Sequence, residues 1–492
     1  MKNFITYIKN FPTRDSIYLF SQLSRMIYKS QLNGASDNAI ACSIVIPIDG
    51  KRTGIFQKKR EVLLTAWDIP EMAYLSIMNS NDYRSEDIKK EHIGKLVNLY
   101  RAYENESSGK AFRQNVGSEG NPFAFIAGMT YEQFRLQNLS WIIQSFNRNY
   151  HILYHSSFIN RDGLKNLEEI VKDKFGMSVE DFLLTEIMLW GLCTKTPIPL
   201  EIPEEVYRKK KETILTKDNI KKVVDYYSIT YKGVWSSKLG KQHFNSKPFI
   251  LTDRSKEYIL ISTYLLSTQI ADVLYWLLRD YHKNDAQVFP NKFGDMFEDY
   301  FSELAREYLE KVTWYKIPET KRKRADFYVE FEDVVFLFEL KSGIMSINAK
   351  QQNPDVEEVT KFVVRNIKEA YEQLCNSEKE YLGHKPVIKI FLLYEMMMNE
   401  HVMKLVIPEI FDNDTNCHIM TIQEVERLFA IYKYDYESFQ KVISELLSNM
   451  NEDCQYQTVG AIIDEFNSEE MHFVGDRDYL EKLLKRLELK LQ

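Results

Sequence analysis

KRKRADFYVEFEDVVFLFELKSG, residues 321–343, holds two strongly apolar segments that are interrupted by Glu332 and Asp333. β-Branched and aromatic residues dominate both segments, which predicts two strands, 325–332 and 334–341. The acidic pair between them fits a two-residue turn, so we expect a tight antiparallel hairpin. This hairpin is the predicted centre of a core, yet charged side chains lie at its open end.

The charges at the open end come together if the turn has two residues. Asp326 then lies opposite Glu339, with Cβ atoms about 4.5 to 5.5 Å apart, and Lys341 points to the same face as Glu339. Two carboxylates this close repel each other unless a cation lies between them. A hard divalent ion such as Mg²⁺ prefers carboxylate oxygens, and the lysine can orient an attacking water or stabilise a phosphoryl oxygen. The hairpin therefore predicts a metal site.

The alternative for the same charges is a solvated strand end, in which Asp326 pairs with Arg324 and Glu339 pairs with Lys341. Five successive apolar residues precede the glutamate in VVFLFELK. Such a run is typical of a central strand that is covered on both faces, where charges need a partner or a function. We therefore favour the metal site.

The segments around the hairpin predict a mixed sheet flanked by helices, an α/β fold of the α+β kind. KPFILTDRSKEYILIS (247–262) predicts another hairpin, and the apolar segment after it predicts a long helix. The predicted order then continues with helix 291–311, strand 312–318, the two hairpin strands, helix 356–381, strand 386–395 and strand 417–422.

The hairpin resembles the core of the PD-(D/E)XK nuclease superfamily, whose members have the restriction-endonuclease-like fold. The resemblance rests on Asp326 and, on the next strand, Glu339-Leu340-Lys341. Ala325 departs from the superfamily's motif, in which a proline precedes the aspartate. The order of elements over residues 290–425 agrees with this superfamily.

Two helices extend the resemblance. FGDMFEDYFSELAREYL (293–309) has the Gly-x-x-Phe-Glu start typical of the first core helix, which assigns the superfamily's helix glutamate to Glu298. AYEQL (370–374) is similar to the glutamine-bearing second core helix, which gives Gln373 a secondary role. The alternatives are a solvated flank for Glu298 and an exposed polar position for Gln373.

The resemblance implies a metal-dependent nuclease that uses Mg²⁺ or Mn²⁺. Asp326 and Glu339 would bind the metal, and the backbone carbonyl of Leu340 would add a third oxygen. Lys341 would position the attacking water and stabilise the transition state, and Glu298 would hold a metal-bound water or a second ion. We expect a homodimer or higher oligomer, since cutting both strands of DNA requires two centres.

A basic surface beside the acidic site is expected to contact phosphates. A run of cations attracts a nucleic-acid backbone without reading its sequence, although a solvated turn is the simpler explanation for four basic residues in a loop. The predicted nucleic-acid-binding residues are Lys321, Arg322, Lys323 and Arg324, with Lys361, Arg365 and Lys368 at helical spacing on the second core helix.

The flanking regions carry no chemical motif. Residues 1–245 predict a mainly helical N-terminal domain, for which a sensor or partner-protein role follows only by elimination. The predicted nuclease-like domain spans 246–435, and 436–492 predict a helical appendage.

His151 and His155 are four residues apart, but without a third ligand they predict a structural pair.

Three local predictions concern the N-terminal half. IACSIVIPI (40–48) predicts one strand that leads into a turn at Asp49-Gly50. The polar, glycine-bearing segment 105–122 predicts a long loop, and the charged segment 201–227 predicts an exposed helix.

Composition limits the functional classes. The net charge of -7 means that a nucleic acid must be met by a local basic surface. Aromatic residues make up 13%, and they fall on apolar helix faces, which favours core packing over base stacking. Five scattered cysteines, no signal-peptide pattern and no apolar run of about 20 residues favour the cytoplasm without a membrane partner.

The sequence therefore predicts a DNA endonuclease, with restriction or anti-phage defence as a role by analogy. An RNase or a DNA-repair nuclease with the same centre remains an alternative. A catalytically silent nucleic-acid-binding or assembly module is the other one, although an idle site has no reason to keep repelling carboxylates.

Overall fold

The structure is a computed structural model that contains both helices and mixed sheets, which agrees with the predicted α+β class. Every helix in the described part of the chain is too short or too polar to cross a lipid bilayer. The described residues are 2–32, 42–48, 61–116, 140–195, 200–202, 205–209, 212–284, 288–342, 364–394, 414–448, 458–466 and 477–486.

The elements are numbered in chain order. The helices are α1 Lys2–Ile8, α2 Thr13–Leu32, α3 Asp68–Asn79, α4 Lys90–Val116, α5 Ser140–Tyr150, α6 Leu167–Phe175, α7 Val179–Lys195, α8 Lys217–Tyr226, α9 Tyr231–Ser236, α10 Thr263–Tyr281, α11 Val288–Tyr308, α12 Glu369–Glu380, α13 Ile422–Tyr434, α14 Tyr436–Ser448, α15 Val459–Phe466 and α16 Tyr479–Arg486. Short π-helical turns span His151–His155 and Val364–Lys368, and 3₁₀ turns span Ser157–Ile159 and Gly240–Asn245.

The strands are β1 Ser43–Pro47, β2 Glu61–Thr65, β3 Glu205–Lys209, β4 Glu212–Thr216, β5 Ser228–Thr230, β6 Phe249–Leu251, β7 Tyr258–Leu260, β8 Thr313–Lys316, β9 Phe327–Glu330, β10 Val335–Lys341, β11 Val387–Leu393 and β12 Cys417–Thr421. The predicted hairpin before α10 is β6–β7, which pairs antiparallel.

The largest sheet has five strands in the order β12-β11-β10-β9-β8. The strands β8, β9 and β10 pair antiparallel, whereas β10, β11 and β12 pair parallel. The middle strands β10 and β11 are almost wholly buried, as expected for strands covered on both faces. The helix α12 lies between β10 and β11 in the chain, because parallel neighbours need a crossover connection.

The predicted hairpin register is confirmed. Phe338 pairs with Phe327, and the Phe331 N–H donates to the Val334 carbonyl over 2.9 Å, which leaves Glu332 and Asp333 as a two-residue turn. The regular ladder stops at Phe327. The same register would place residue 326 opposite residue 339, but the Asp326 N–H donates to the Phe338 carbonyl over 2.9 Å. Asp326 therefore lies just beyond the strand, at the open end of the hairpin.

The two faces of the hairpin pack against different helices. Phe327 and Phe338 contact Phe301 of α11, with ring centroids 4.5 and 5.0 Å from it. Burying each such ring stabilises the fold by about 1.5 to 3 kcal/mol. Glu339 is on the opposite face, where Gln373 of α12 contacts it. Because strand side chains alternate, Phe338 lies on the face covered by α11, whereas Glu339 lies on the face covered by α12 together with the buried Leu337.

Helix α11 approaches the end of β10 closely at Gly294. A Cβ atom built at Gly294 would lie 3.3 Å from the Ser342 hydroxyl, so a glycine here allows the approach. Tyr394, just after β11, packs against Phe293 and Phe297 of α11 at 4.7 and 5.4 Å, and its N–H donates to the Lys341 carbonyl over 3.1 Å. The start of α11 and the end of β10 are thus held together.

The prediction for the N-terminal half needs three corrections. The expected loop at 105–122 is wrong over residues 105–116, which belong to α4, and residues 117–122 lie outside the described residues. Within this part of α4, Lys110 pairs with Glu106 one helical turn before it. The expected helix at 201–227 is wrong over β3 and β4, where β-branched Thr and Ile favour strands, and only α8 is helical. Strands β2 and β5 were also not predicted.

The strand predicted at 40–48 is present as β1, which pairs with β2. The turn expected at Asp49-Gly50 lies outside the described residues. The first residues of the helix predicted at 356–381 also lie outside them, and the described remainder is a π-helical turn followed by α12.

Packing crosses the sequence-predicted boundary at residue 245. The three-stranded sheet joins β5, from before the boundary, to β6 and β7 after it. One hydrophobic core combines α1–α4 with Tyr231, Ile250 and Tyr264, and the other runs from Phe146 to Leu484. The division at 245 and 435 stays a prediction about independent folding.

The start of helix α16 contacts His151, which follows α5, and His151 in turn contacts α11. The Tyr479 hydroxyl lies 2.7 Å from His151 Nδ1, and His151 Nε2 lies 3.0 Å from Glu303 of α11. Arg477 bonds to Glu303 and Glu307. His151 is therefore a buried structural histidine, as the sequence predicts.

Candidate active site

Asp326 is held at the open end of the hairpin by the neighbouring strand. Its carboxylate Oδ2 accepts a hydrogen bond from the Leu340 N–H over 2.7 Å. Its own carbonyl accepts from the Ile317 N–H over 2.8 Å, which ties the loop after β8 to the same point. A carboxylate fixed by a backbone amide keeps one orientation, as a ligand or catalytic group must.

Glu339 is the most buried acid of the hairpin, with 1% of its surface exposed. Its Oε1 accepts hydrogen bonds from Lys341 Nζ at 2.5 Å and from Gln373 Nε2 at 2.6 Å. Its Oε2 is buried and has no hydrogen-bond partner among the described residues. A buried carboxylate oxygen without a partner is costly, which marks a position where a cation would be bound favourably.

The two acids have raised pKa values. Burial raises the pKa of Glu339 to about 8, and the charge of Asp326 adds to the rise while Lys341 opposes it. Burial also raises the pKa of Asp326 to about 6, against the hydrogen bond from Leu340 and the charge of Lys341. Glu339 thus lies in the field of Asp326, and both acids lie in the field of Lys341 and Glu298.

Leu340 has its carbonyl on the side of Asp326. The Lys341 carbonyl accepts from Tyr394 on the β11 side, and the Leu340 N–H donates to Asp326 on the β9 side. Because successive peptide groups of a strand point to opposite edges, the Leu340 carbonyl faces the β9 side as well. Its oxygen therefore points to the same edge of β10 as Asp326, and its role as a third metal ligand stays a prediction.

Glu298 reaches the site from α11 over the edge of the sheet. Its carboxylate forms an ion pair with Lys316 at the end of β8, and its negative charge contributes to the raised pKa values of Asp326 and Glu339. The neighbouring Phe297 is fully buried. The structure thus brings Glu298 near the hairpin acids rather than leaving it on a remote flank.

Gln373 connects the site to the loop before Asp326. Besides Glu339, its amide donates to the Arg324 carbonyl over 3.4 Å. The next turn of α12 adds two contacts: Ser377 Oγ accepts from the Ala325 N–H over 2.9 Å, and the Asn376 amide donates to the Lys323 carbonyl over 2.9 Å. The loop before Asp326 is therefore docked on α12 by its backbone.

The basic run in this loop is partly neutralised by α12. Arg324 pairs with Glu380 at 2.8 Å, and Lys323 lies 3.7 Å from Glu369. Arg322 donates to Asn376 over 2.6 Å, and Lys321 is exposed. A phosphate would therefore compete with these contacts for Arg322, Lys323 and Arg324. Of the other predicted phosphate contacts, Lys368 is exposed, Arg365 is described only in its backbone, and Lys361 lies outside the described residues.

A divalent cation fits the donor set of the hairpin. It would bind at the unpartnered Oε2 of Glu339, the carboxylate of Asp326 and the carbonyl of Leu340, and its charge would stabilise the ionised forms that burial disfavours. With Glu298 added, the carboxylates of Asp326 and Glu339 do not form a group whose ligand atoms all lie within 4.8 Å of one another. Such an open set suits Mg²⁺, which keeps several waters.

Another acidic group is already neutralised by a lysine. In the described part of the chain, the ligand atoms of Cys375, Glu378 and Asp414 lie within 4.8 Å of one another. The buried Lys389 contacts Glu378 at 2.7 Å and Asp414 at 3.0 Å. Because its ammonium group already balances both carboxylates, this group is explained as a structural ion-pair network.

The sequence did not reveal two positioning residues. The place of Lys316 beside the site depends on the register between β8 and β9. A connection of ten residues joins these strands and does not fix that register, so the sequence alone did not indicate Lys316. Ser377 belongs to no motif in the sequence. Its role follows only from the buried hydrogen bond that it accepts from the Ala325 N–H. No model of a known protein family matches this chain, and no curated protein sequence matches it either.

Proposed function

We propose that this protein is a metal-dependent nuclease of the PD-(D/E)XK kind, with a restriction-endonuclease-like fold over residues 290–425. One observation carries the proposal: the buried Glu339 keeps an unpartnered oxygen beside Asp326 and Lys341. The order helix, three antiparallel strands, helix and parallel strand around this hairpin supports it. A purely structural hairpin would gain stability from an apolar residue in place of Glu339.

Asp326, Glu339 and the Leu340 carbonyl would hold Mg²⁺ or Mn²⁺, which when bound supplies a Lewis acid for a phosphoryl oxygen. Lys341 has its ammonium group 2.5 Å from Glu339, so it can orient a water on the same face and stabilise negative charge on the phosphate. Gln373 holds Oε1 of Glu339 and leaves Oε2 for the metal. Glu298 and Lys316 lie at the rim, where Glu298 would accept a hydrogen bond from a bound water.

The proposed substrate is nucleic acid, with DNA as the first choice, and Lys321 and Lys368 are exposed on the surface. Action as a homodimer, a partner protein for the N-terminal region and a role in restriction or anti-phage defence are parts of the same proposal. Cleavage of labelled duplex DNA, single-stranded DNA and RNA of one sequence separates a DNA endonuclease from an RNase and from a repair nuclease.

The test is plasmid cleavage with Mg²⁺ or Mn²⁺ by the wild type, Asp326→Ala and Lys341→Ala. We expect each substitution to lower the rate by about 100-fold to 1,000-fold, the loss typical of removing one transition-state contact. Asp333→Ala in the exposed turn and Lys379→Ala on the exposed face of α12 are the matched controls. Equal rates in the wild type and both site variants would refute the assignment.

A further inference from the structure

Tyr315 is an exposed aromatic side chain at the edge of the sheet. It is 47% exposed, although it stacks on the buried Tyr328 of the next strand with ring centroids 4.9 Å apart and planes 20° apart. The Tyr328 ring also contacts Tyr381, which follows α12. One face of the Tyr315 ring is therefore fixed by its neighbour, while much of the side chain is in solvent.

The position of Tyr315 relates it to the candidate site. It lies on β8 opposite Tyr328, and Tyr328 is two residues along β9 from Asp326. At about 3.4 Å per residue the two rings stand about 7 Å from Asp326 along the strand, close to the length of one extended nucleotide. Lys316, the next residue of β8, has a side chain that is 53% exposed and contacts Glu298.

Sheet stabilisation alone accounts poorly for this ring. A cross-strand tyrosine pair contributes about 0.2 to 1 kcal/mol, and the inner ring of this one already has a second aromatic neighbour. The strand β8 is at the edge of the sheet, and no described strand pairs with its outer side. About half of Tyr315 is thus in solvent at the edge of the sheet, with no described strand beyond it.

We propose that Tyr315 is a stacking platform for an unpaired base whose neighbouring phosphate lies at Asp326 and Glu339. The inference rests on the proposed nuclease function and narrows its substrate class to nucleic acid with an unpaired nucleotide beside the cut bond, as in a single strand, a flap or an overhang. A base stacks on an aromatic ring whatever its identity, so the platform selects for unpaired structure rather than for sequence.

The experiment measures binding by fluorescence anisotropy with Ca²⁺ in place of Mg²⁺, using single-stranded and duplex DNA of one sequence. Tyr315→Ala should weaken the affinity for the single strand by about 5-fold to 150-fold and change duplex affinity less than twofold. Tyr315→Phe keeps the ring and should bind like the wild type. Tyr434→Ala, at a 66% exposed tyrosine of α13, is the matched control and should change neither affinity.

A second readout reports stacking directly. The fluorescence of 2-aminopurine placed next to the cut bond should be quenched by the wild type and by Tyr315→Phe, but not by Tyr315→Ala. Thermal unfolding of each variant shows whether it is folded. If Tyr315→Ala binds and quenches like the wild type while Asp326→Ala still abolishes cleavage, the platform is wrong and the nuclease stands. If no nucleic acid is bound or cut by any variant, both proposals fail.

Discussion

Glu339 combines burial, a lysine partner and an unsatisfied oxygen in one side chain. Gln373 and Lys341 both donate to Oε1, so the stabilising contacts are concentrated on one oxygen while the other is left open. An acid in such a place favours its protonated form until a cation arrives. At the proposed metal site, a proton and a cation would therefore compete for Glu339.

Metal affinity should rise with pH because of this competition. The pKa of Asp326 is raised to about 6 and that of Glu339 to about 8, so between these values one proton must leave for each ion bound. We expect the affinity for Mn²⁺ to rise by about tenfold per pH unit from pH 6 to 8 and to level off above. Calorimetry in buffers of different ionisation enthalpy measures the released proton.

Glu339→Gln is the control for this measurement. It should bind Mn²⁺ weakly, without a pH dependence in the same range. A wild-type affinity that is constant from pH 6 to 8 would contradict the raised pKa of Glu339.

The free energy of unfolding of the metal-free protein should fall as pH rises, whereas the metal affinity should increase. The ordinary pKa of a glutamic acid is about 4.3, whereas the pKa of the folded Glu339 is raised to about 8. The folded protein therefore holds a proton that the unfolded chain has released, and the free energy of unfolding should fall as pH rises through this interval. Urea unfolding in EDTA at pH 5 and pH 8 measures the fall. Glu339→Gln should reduce it, and an equal fall in both proteins would show that other groups cause it.

At the scale of elements, the hairpin and α12 position the site together. The two-residue turn sets the register of β9 and β10, and α12 docks the loop that leads into Asp326. The docking contacts go to backbone groups of Lys323 and Ala325, so they fix the path of the chain rather than a particular side chain. The position of Asp326 thus depends on a helix that begins more than forty residues later.

Ser377→Ala tests this dependence. The substitution leaves the buried Ala325 N–H without an acceptor, which should lower the free energy of unfolding by about 1 to 3 kcal/mol. Because Asp326 follows Ala325, kcat for cleavage should fall while KM changes little. Lys379→Ala, on the exposed face of the same helix, should change neither quantity. An increase in KM at constant kcat would mean that the serine acts on substrate binding instead.

The sequence predicts the candidate site because a short turn within the same segment sets the register between β9 and β10. A two-residue turn between two apolar runs leaves one pairing, so the neighbourhood of Asp326 and Glu339 could be predicted from 23 residues of sequence. β3 and β4 escaped prediction because their charged residues resemble an exposed helix, although β-branched residues decide the local structure. Contacts that depend on distant pairing, such as Lys316 with Glu298, carry no local signal.

Over the whole molecule, a buried ion pair links the N-terminal helices to the helix after the sheet. Arg148 of α5 bonds to Glu426 of α13 through two hydrogen bonds of 2.6 and 2.8 Å, and the Tyr300 hydroxyl of α11 donates to the same carboxylate. Asn149, next to Arg148, accepts from the Tyr394 hydroxyl. Helix α5 therefore contacts the elements on which Glu298 and Lys341 depend.

Breaking this ion pair should unfold more than one region. Arg148→Met leaves Glu426 buried without its partner, and we expect a loss of about 3 to 5 kcal/mol in the free energy of unfolding. Removing both partners in Arg148→Met with Glu426→Met should restore part of it. The exposed pair Lys441 and Glu437 is the control, whose removal should cost less than about 1 kcal/mol. Urea unfolding measures each value, and equal losses for the buried and exposed pairs would refute the role of burial.

The C-terminal helix α16 has a consequence for biosynthesis. Its residues Tyr479, Leu483 and Leu484 belong to the same core as Phe146 and the sheet, so they leave the ribosome after the elements against which they pack. The contacts between α16 and α11 can therefore form only once this helix has been translated. The proposed nuclease would thus stay incompletely packed while residues 479–484 are still unmade.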